Sequence, residues 1–205
     1  MELICARHGR TAWNAERRFQ GQTDVPLDAV GEAQARALAA YLRGEPFDLV
    51  VASDLSRARA TAEQICAGRE VVPEFTAGLR ERQFGAWEGL TWPEIVRRWP
   101  QFDAGFENAA RLYTAEGGES WDELCARIEA VLRGVAARLA PDGRALIVSH
   151  AGVMHAIVHA LSGSAQNRAG SSHKFVPAGI LRLRGSFEAG WTLATVNEVA
   201  PPLSA

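Results

Sequence analysis

Three segments of this chain carry arginine or histidine directly after a short apolar run. Leu3-Ile4-Cys5-Ala6 gives way to Arg7-His8-Gly9-Arg10. Leu49-Val50-Val51 leads to Ser53-Asp54-Leu55-Ser56-Arg57, and Leu146-Ile147-Val148 leads to Ser149-His150-Ala151-Gly152. Such runs read as buried strands, and polar residues at their C-terminal ends stand where α/β proteins place ligand sites. Two guanidiniums, each a planar fork of donors that keeps its charge, together with two imidazoles predict one anion-binding pocket. Arg57 falls in the first turn of an expected helix, where a cation opposes the helix dipole unless an anion sits there.

The elements that must position these residues alternate along the chain. The alanine-rich stretch 32–41 has helical composition and stops at Gly44-Glu45-Pro46. A second helix is predicted over 57–66, with Ser53, Asp54 and Ser56 as candidate caps. From Trp121 the set Leu124, Cys125, Ile128, Val131, Leu132 and Val135 keeps a helical spacing and predicts a long amphipathic helix. Pro141-Asp142-Gly143 then turns into the strand 145–148, followed by a helix over 153–161 and a hairpin of 180–183 with 191–196 around Gly185 and Gly190. This order predicts an α/β three-layer sandwich, a mainly parallel central sheet with helices on both faces. The segment 84–119 departs from it. Phe84, Trp87, Trp92, Trp99, Phe102, Phe106 and Tyr113 occur there with poor periodicity, which predicts an excursion over the strand ends with one short helix at 93–99. Residues 1–205 are expected to form a single domain with that excursion as its cap.

Composition narrows the function classes. The 205 residues are 47% hydrophobic with a formal net charge of −2, and the 22 basic residues are scattered, which argues against nucleic acid as the main partner. No stretch reads as a membrane span and Arg7 and Arg10 interrupt the one candidate leader, so a cytoplasmic location is expected. Cys5, Cys66 and Cys125 are odd in number and set in apolar surroundings, and are read as reduced. His155 and His159 share a helix face, but no third ligand follows at suitable spacing, so packing is the preferred reading and no metal is expected. His173 beside Lys174 has no assigned side. A homodimer is compatible with the composition, since alanine-rich faces do not separate exposed from buried surface.

The motifs resemble the histidine phosphatase superfamily, also called the phosphoglycerate mutase-like family. The resemblance is carried in order by 7–14 (Arg-His-Gly-Arg-Thr-Ala-Trp-Asn), 18–21 (Arg-Phe-Gln-Gly), 53–58, 79–89, 117–120 and 148–152. It implies His8 as the nucleophile, with Arg7, Arg57 and His150 around the phosphoryl group, Asn14 as a further contact to it, and Glu81 as proton donor. Thr11, Gln20, Gly21 and Trp87 are the candidate substrate contacts. The implied ligand is a small phosphate monoester, with no cofactor.

That assignment makes chemical demands of its own. His8 must attack through an unprotonated ring nitrogen while its other nitrogen gives a proton to a backbone carbonyl or similar acceptor. Cationic neighbours disfavour the imidazolium. Glu81 must protonate the leaving oxygen and then activate water, and it has acidic rivals in Glu88 and Glu119. Within the family, phosphatases of the α-ribazole and broad-specificity branches share the Arg-Phe-Gln-Gly-Gln pattern of 18–22. Cofactor-dependent mutases carry a longer basic insertion after the glutamate and usually a lysine where Trp92 stands. The expectation is therefore hydrolysis. Mutase activity with 2,3-bisphosphoglycerate is the alternative, for which Arg97, Arg98 and Arg111 are candidates for a second phosphate site. A pocket that binds phospho-ligands without turnover is the third reading.

Overall fold

The computed structural model describes residues 1–102, 113–167 and 174–200. Six strands, β1 (Glu2–Arg7), β2 (Leu49–Ser53), β3 (Glu74–Thr76), β4 (Arg144–Ser149), β5 (Gly179–Ser186) and β6 (Gly190–Val199), form one sheet in the order β3-β2-β4-β1-β5-β6. The pairs β3/β2, β2/β4 and β4/β1 are parallel, while β5 and β6 run antiparallel as a hairpin on the β1 edge.

Alternation along the central strands explains their unbroken apolar runs, because both faces are covered. Leu3, Cys5, Val51, Ala145 and Ile147 point to one side, against the helices α5 (Trp121–Ala136) and α6 (Ala151–Asn167). There α5 contributes Leu124, Ile128, Leu132 and Val135, the set its periodicity predicts. Ile4, Ala6, Val50, Ala52, Leu146 and Val148 point to the other side, against α2 (Ala29–Tyr41) and α3 (Ser56–Cys66). The three-layer sandwich predicted from the sequence is thus the observed architecture. Cys5, Cys66 and Cys125 form no disulfide among the described residues, and burial pushes the Cys5 thiol up to about 12.

Local chemistry sets most helix starts. Asp28 caps α2 by accepting from Gly31 N, and Ser120 with Glu123 forms a capping box on α5. The expected caps of α3 are a correction. Its N-cap is Leu55, which makes no side-chain cap bond, and the amide and hydroxyl of Ser56 instead donate to Asp24 Oδ1 at 2.8 and 2.7 Å. The capping oxygen comes from a different loop.

The excursion has a small core of its own. Phe19, Trp87 and Ile95 are buried together, with Phe84, Leu90, Trp92, Trp99, Phe102 and Tyr113 packed around them. Its helix α4 (Trp92–Arg98) opens with a Thr91–Glu94 capping box, and a short helix α1 (Ala12–Ala15) follows the first strand end. Backbone bonds Phe19 N to Leu90 O and Gly89 N to Phe19 O tie this cluster to the chain after α1. Among the described residues no helix is long and apolar enough to cross a membrane.

Candidate active site

Register brings the three polar strand ends to one level. Arg7 of β1 pairs with Ser149 of β4, and Ala52 of β2 pairs with Val148, so Arg7, Ser53 and Ser149 end their strands side by side. His8 and His150 are the next residues on β1 and β4, and their rings meet edge to face with centroids 5.0 Å apart. Arg57 reaches the same place from the first turn of α3.

His8 is almost fully buried, and its Nδ1 lies 2.7 Å from Gly9 O. A carbonyl can only accept, so Nδ1 carries the proton and Nε2 keeps its lone pair. Burial, then the charges of Arg57 and Arg7, hold the His8 imidazole well below its usual pKa of 6.5. The loop that supplies the carbonyl is fixed from two sides. Gly9 N donates to Thr61 Oγ1, and a Cβ on Gly9 would stand 2.3 Å from Gly31 O at the start of α2. This close approach of two backbones requires glycine.

His150 is completely buried and its environment sets its tautomer as well. Arg57 Nε donates to Nδ1 at 3.3 Å, leaving the proton on Nε2, which donates to Ser53 Oγ at 2.9 Å. Burial, Arg57, His8 and Arg7 all lower its pKa well below 6.5.

The two guanidiniums are hydrogen-bonded to backbone carbonyls, and among the described residues neither forms a salt bridge. Arg57 is fully buried and donates from Nη1 to Thr23 O at 2.9 Å and from Nη2 to Gly21 O at 2.7 Å. Arg7 Nη1 donates to Phe175 O at 2.6 Å, while Arg7 Nε is one of two buried polar side-chain atoms among the described residues with no partner. A buried cationic N–H with no partner fits an anionic ligand. Burial lowers the Arg7 pKa to about 10, with Glu81 opposing and Arg57 adding to the shift, so it remains a cation at neutral pH.

The loop 20–23 supplies the carbonyls that orient Arg57. Gly21 sits at φ +55°, and a Cβ there would lie 2.0 Å from Glu88 Oε1. Glu88 in turn accepts from the amides of Gln22, Thr23 and Phe84, each at 3.0 Å. Its carboxylate is consumed in shaping this loop. Glu119 is consumed by a bidentate pair with Arg127, at 2.8 and 2.7 Å. Glu81 is the acidic candidate that stands with the arginines. Its Oε2 accepts from Gly152 N at 3.1 Å, its Oε1 from Arg82 N at 2.9 Å, and its charge acts on both Arg7 and Arg57.

The remaining candidates divide. Asn14 Oδ1 accepts from the amide and hydroxyl of Thr11, at 3.1 and 3.2 Å, as the capping box of α1. Thr11 is fully buried and its hydroxyl also lies 3.0 Å from Gln20 Oε1, so Thr11 and Gln20 brace the loop while Gly21 holds Arg57. Trp87 is 1% exposed and packs with Phe19 and Ile95 in the core of the excursion. Arg97 and Arg98 lie exposed on α4, and Arg111 and His173 fall outside the described residues. His155 packs on Phe175 and His159 on Trp121, and no metal-holding group of His, Cys, Asp or Glu occurs among the described residues.

Ser53, Thr61, Asp24 and Arg127 were not singled out from the sequence as parts of this site. Ser53 lies inside the 53–58 motif and Asp24 close after the 18–22 pattern, but their bonds to His150 and Ser56 span 97 and 32 positions.

Several known proteins are similar to this chain. The profile of the histidine phosphatase superfamily (branch 1) matches residues 3–199. Over 161 residues the chain is 38% identical to a metal-independent phosphoserine phosphatase of Arabidopsis thaliana, covering 76% of this chain and 66% of that relative, just under two thirds of its length. Over 170 residues it is 35% identical to phosphoglycerate mutase-like protein 4 of the same plant, covering 80% of this chain and 73% of the relative. The structure of a mycobacterial glucosyl-3-phosphoglycerate phosphatase in complex with VO3 superposes with a TM-score of 0.87 at 30% identity, covering 96% of this chain and 98% of that one. With the profile matched along nearly its whole length and the sandwich in place, the chain belongs to the histidine phosphatase superfamily.

Proposed function

We propose that this protein hydrolyses small phosphate monoesters without a metal ion, through a phosphohistidine on His8. The observation that carries this reading is the free lone pair on His8 Nε2. It results from the Nδ1 bond to Gly9 O and lies in a pocket whose cations are Arg7 and Arg57.

The steps follow from the groups present. The arginines hold the phosphoryl oxygens, and Arg7 Nε gains the acceptor it lacks. His8 Nε2 attacks phosphorus as the bond to the ester oxygen breaks, and protonated Glu81 gives its proton to the departing oxygen. The Glu81 carboxylate then takes a proton from water, the water oxygen attacks phosphorus, and the P–N bond breaks to release phosphate and neutral His8. His150 sits against the His8 ring, its tautomer set by Arg57 and Ser53, and completes the wall around the phosphoryl group. In this reading residues 1–205 act as one domain capped by 84–119.

The names of the relatives supply two phosphatase substrates, phosphoserine and glucosyl-3-phosphoglycerate, and one mutase-like description. The test is phosphate release in the presence of a chelator from a panel including both esters, α-ribazole 5′-phosphate and 3-phosphoglycerate. The wild type is compared with His8→Ala. Release by the wild type alone, with acid-labile phosphate trapped on the protein, is the expected result. Isomerisation of 3-phosphoglycerate outpacing release when 2,3-bisphosphoglycerate is added would make it a mutase. Ligand binding without turnover or acid-labile phosphate would make it a binding protein.

A further inference from the structure

The loop that carries Glu81 is anchored by two ion pairs, Arg80–Asp54 and Arg127–Glu119, and the second ties it to α5. Arg127 projects from the second turn of α5, and Glu119 precedes that helix by two residues. The pair is largely shielded from solvent, with side-chain exposures of 23% and 14%. Arg127 spends every branch of its guanidinium here. Nε and Nη2 grip the two Glu119 oxygens at 2.8 and 2.7 Å, and Nη1 donates to Gly78 O at 2.8 Å and Arg80 O at 3.0 Å. Glu119 takes hold on the far side of Glu81. Its backbone carbonyl accepts from Arg82 Nε at 2.7 Å, and its amide donates to Gln83 O at 2.8 Å. Gly78 permits the helix to come this close, since a Cβ there would lie 2.7 Å from Val131 Cγ2.

The carbonyls of residues 78 to 81 are therefore each committed. Gly78 and Arg80 accept from Arg127, Leu79 from Ser149 Oγ at 2.7 Å, and Glu81 from Gln22 Nε2 at 3.3 Å. The segment is a clamped loop that leaves the short 3-10 turn Ala77–Leu79, and the Glu81 carboxylate accepts from Gly152 N. A guanidinium can satisfy two carbonyls and a carboxylate at once because its donors lie in one rigid plane. An ammonium has no such fork.

We infer that Arg127 and Glu119 are positioning residues for the proton-transfer group of the proposed reaction, setting where the Glu81 carboxyl stands relative to the leaving oxygen. The inference rests on the assignment of Glu81 as the acid. A displacement of about 1 Å at a proton donor is enough to cost on the order of a hundredfold in rate. The loss should depend on the leaving group: an alkoxide needs the proton, a nitrophenolate hardly does.

The experiment compares kcat for an alkyl phosphate such as phosphoserine with kcat for p-nitrophenyl phosphate in wild type, Glu81→Gln, Arg127→Met, Arg127→Lys and Glu119→Gln. Thermal midpoints are recorded beside them. Glu81→Gln calibrates the selective loss. Arg127→Met and Glu119→Gln should lose at least tenfold more on the alkyl ester than on the aryl ester, with Arg127→Lys intermediate. If Arg127→Met does not fold, Glu119→Gln decides, because it keeps the side-chain shape and removes only the charge and one acceptor character. Selective loss in Glu81→Gln with equal losses on both esters in the Arg127 and Glu119 variants would overturn the positioning role and leave the acid in place. Equal losses in Glu81→Gln itself would overturn the acid assignment and this inference with it.

Discussion

Substituting Gly152 separates activity from stability. Gly152 occupies the first turn of α6, and a Cβ built on it would lie 2.3 Å from Glu81 Oε1 and 3.2 Å from Glu81 Cδ. An ordinary contact needs roughly 3.5 Å, so in Gly152→Ala the carboxyl must retreat by about 1 Å. It cannot do so and keep both its bond to Gly152 N at 3.1 Å and its bond to Arg82 N at 2.9 Å. General acid–base catalysis contributes about 10²–10⁴-fold, and a misplacement of this size forfeits on the order of 10²-fold. The helix itself should gain, because alanine is favoured over glycine there by up to about 1 kcal/mol. The assay pairs kcat on an alkyl phosphate with urea unfolding of the same preparation. A drop in kcat near a hundredfold with unchanged or raised stability is expected. Activity within threefold of wild type would refute the geometric argument for Glu81, and a loss of more than 2 kcal/mol in stability, set against that expected gain, would assign the effect to folding instead.

Two further outcomes follow from the packing. His8 and His150 are held neutral well below 6.5 in the folded chain, whereas the unfolded chain protonates them near that value. Below pH 6.5 the unfolded state therefore binds more protons, so stability is full above that pH and declines on acidification, by up to about 2.7 kcal/mol per pH unit for two protons. Denaturant unfolding at pH 7.5, 6.5 and 5.5 checks this, and a flat profile would mean that the folded protein carries charged imidazoles. Trp87→Ala removes the centre of the excursion's core and should cost about 3–5 kcal/mol, read as a lowered unfolding midpoint. An unchanged midpoint with weakened substrate binding would return Trp87 to the pocket wall.

Much of the frame was legible before any coordinates. Apolar runs bounded by turn residues marked β1, β2 and β4, and a helical period marked α5, because these signals are repeated within a few residues of one another. The same local reading placed Arg7, His8, Arg57 and His150 at strand ends and helix starts, and the alternating order required those ends to share one edge of a parallel sheet. What local pattern does not encode is which polar group a side chain meets across the fold. The neighbours of Glu81, Glu88 and Glu119 in sequence do not specify which amide each meets, yet Glu81 is claimed by Gly152 at a separation of 71 positions and Glu88 by Gln22 at 66. Asp24 caps a helix 32 positions away, Arg127 clamps carbonyls 47 and 49 positions away, and Trp87 turns inward with its aromatic neighbours. The residue types and the order of elements set the chemistry that could occur here. The proton on His8 Nδ1, the separation of one carboxylate from its rivals, and the clamp behind it were decided by tertiary packing, because a hydrogen bond depends on distances and angles that only the folded chain defines.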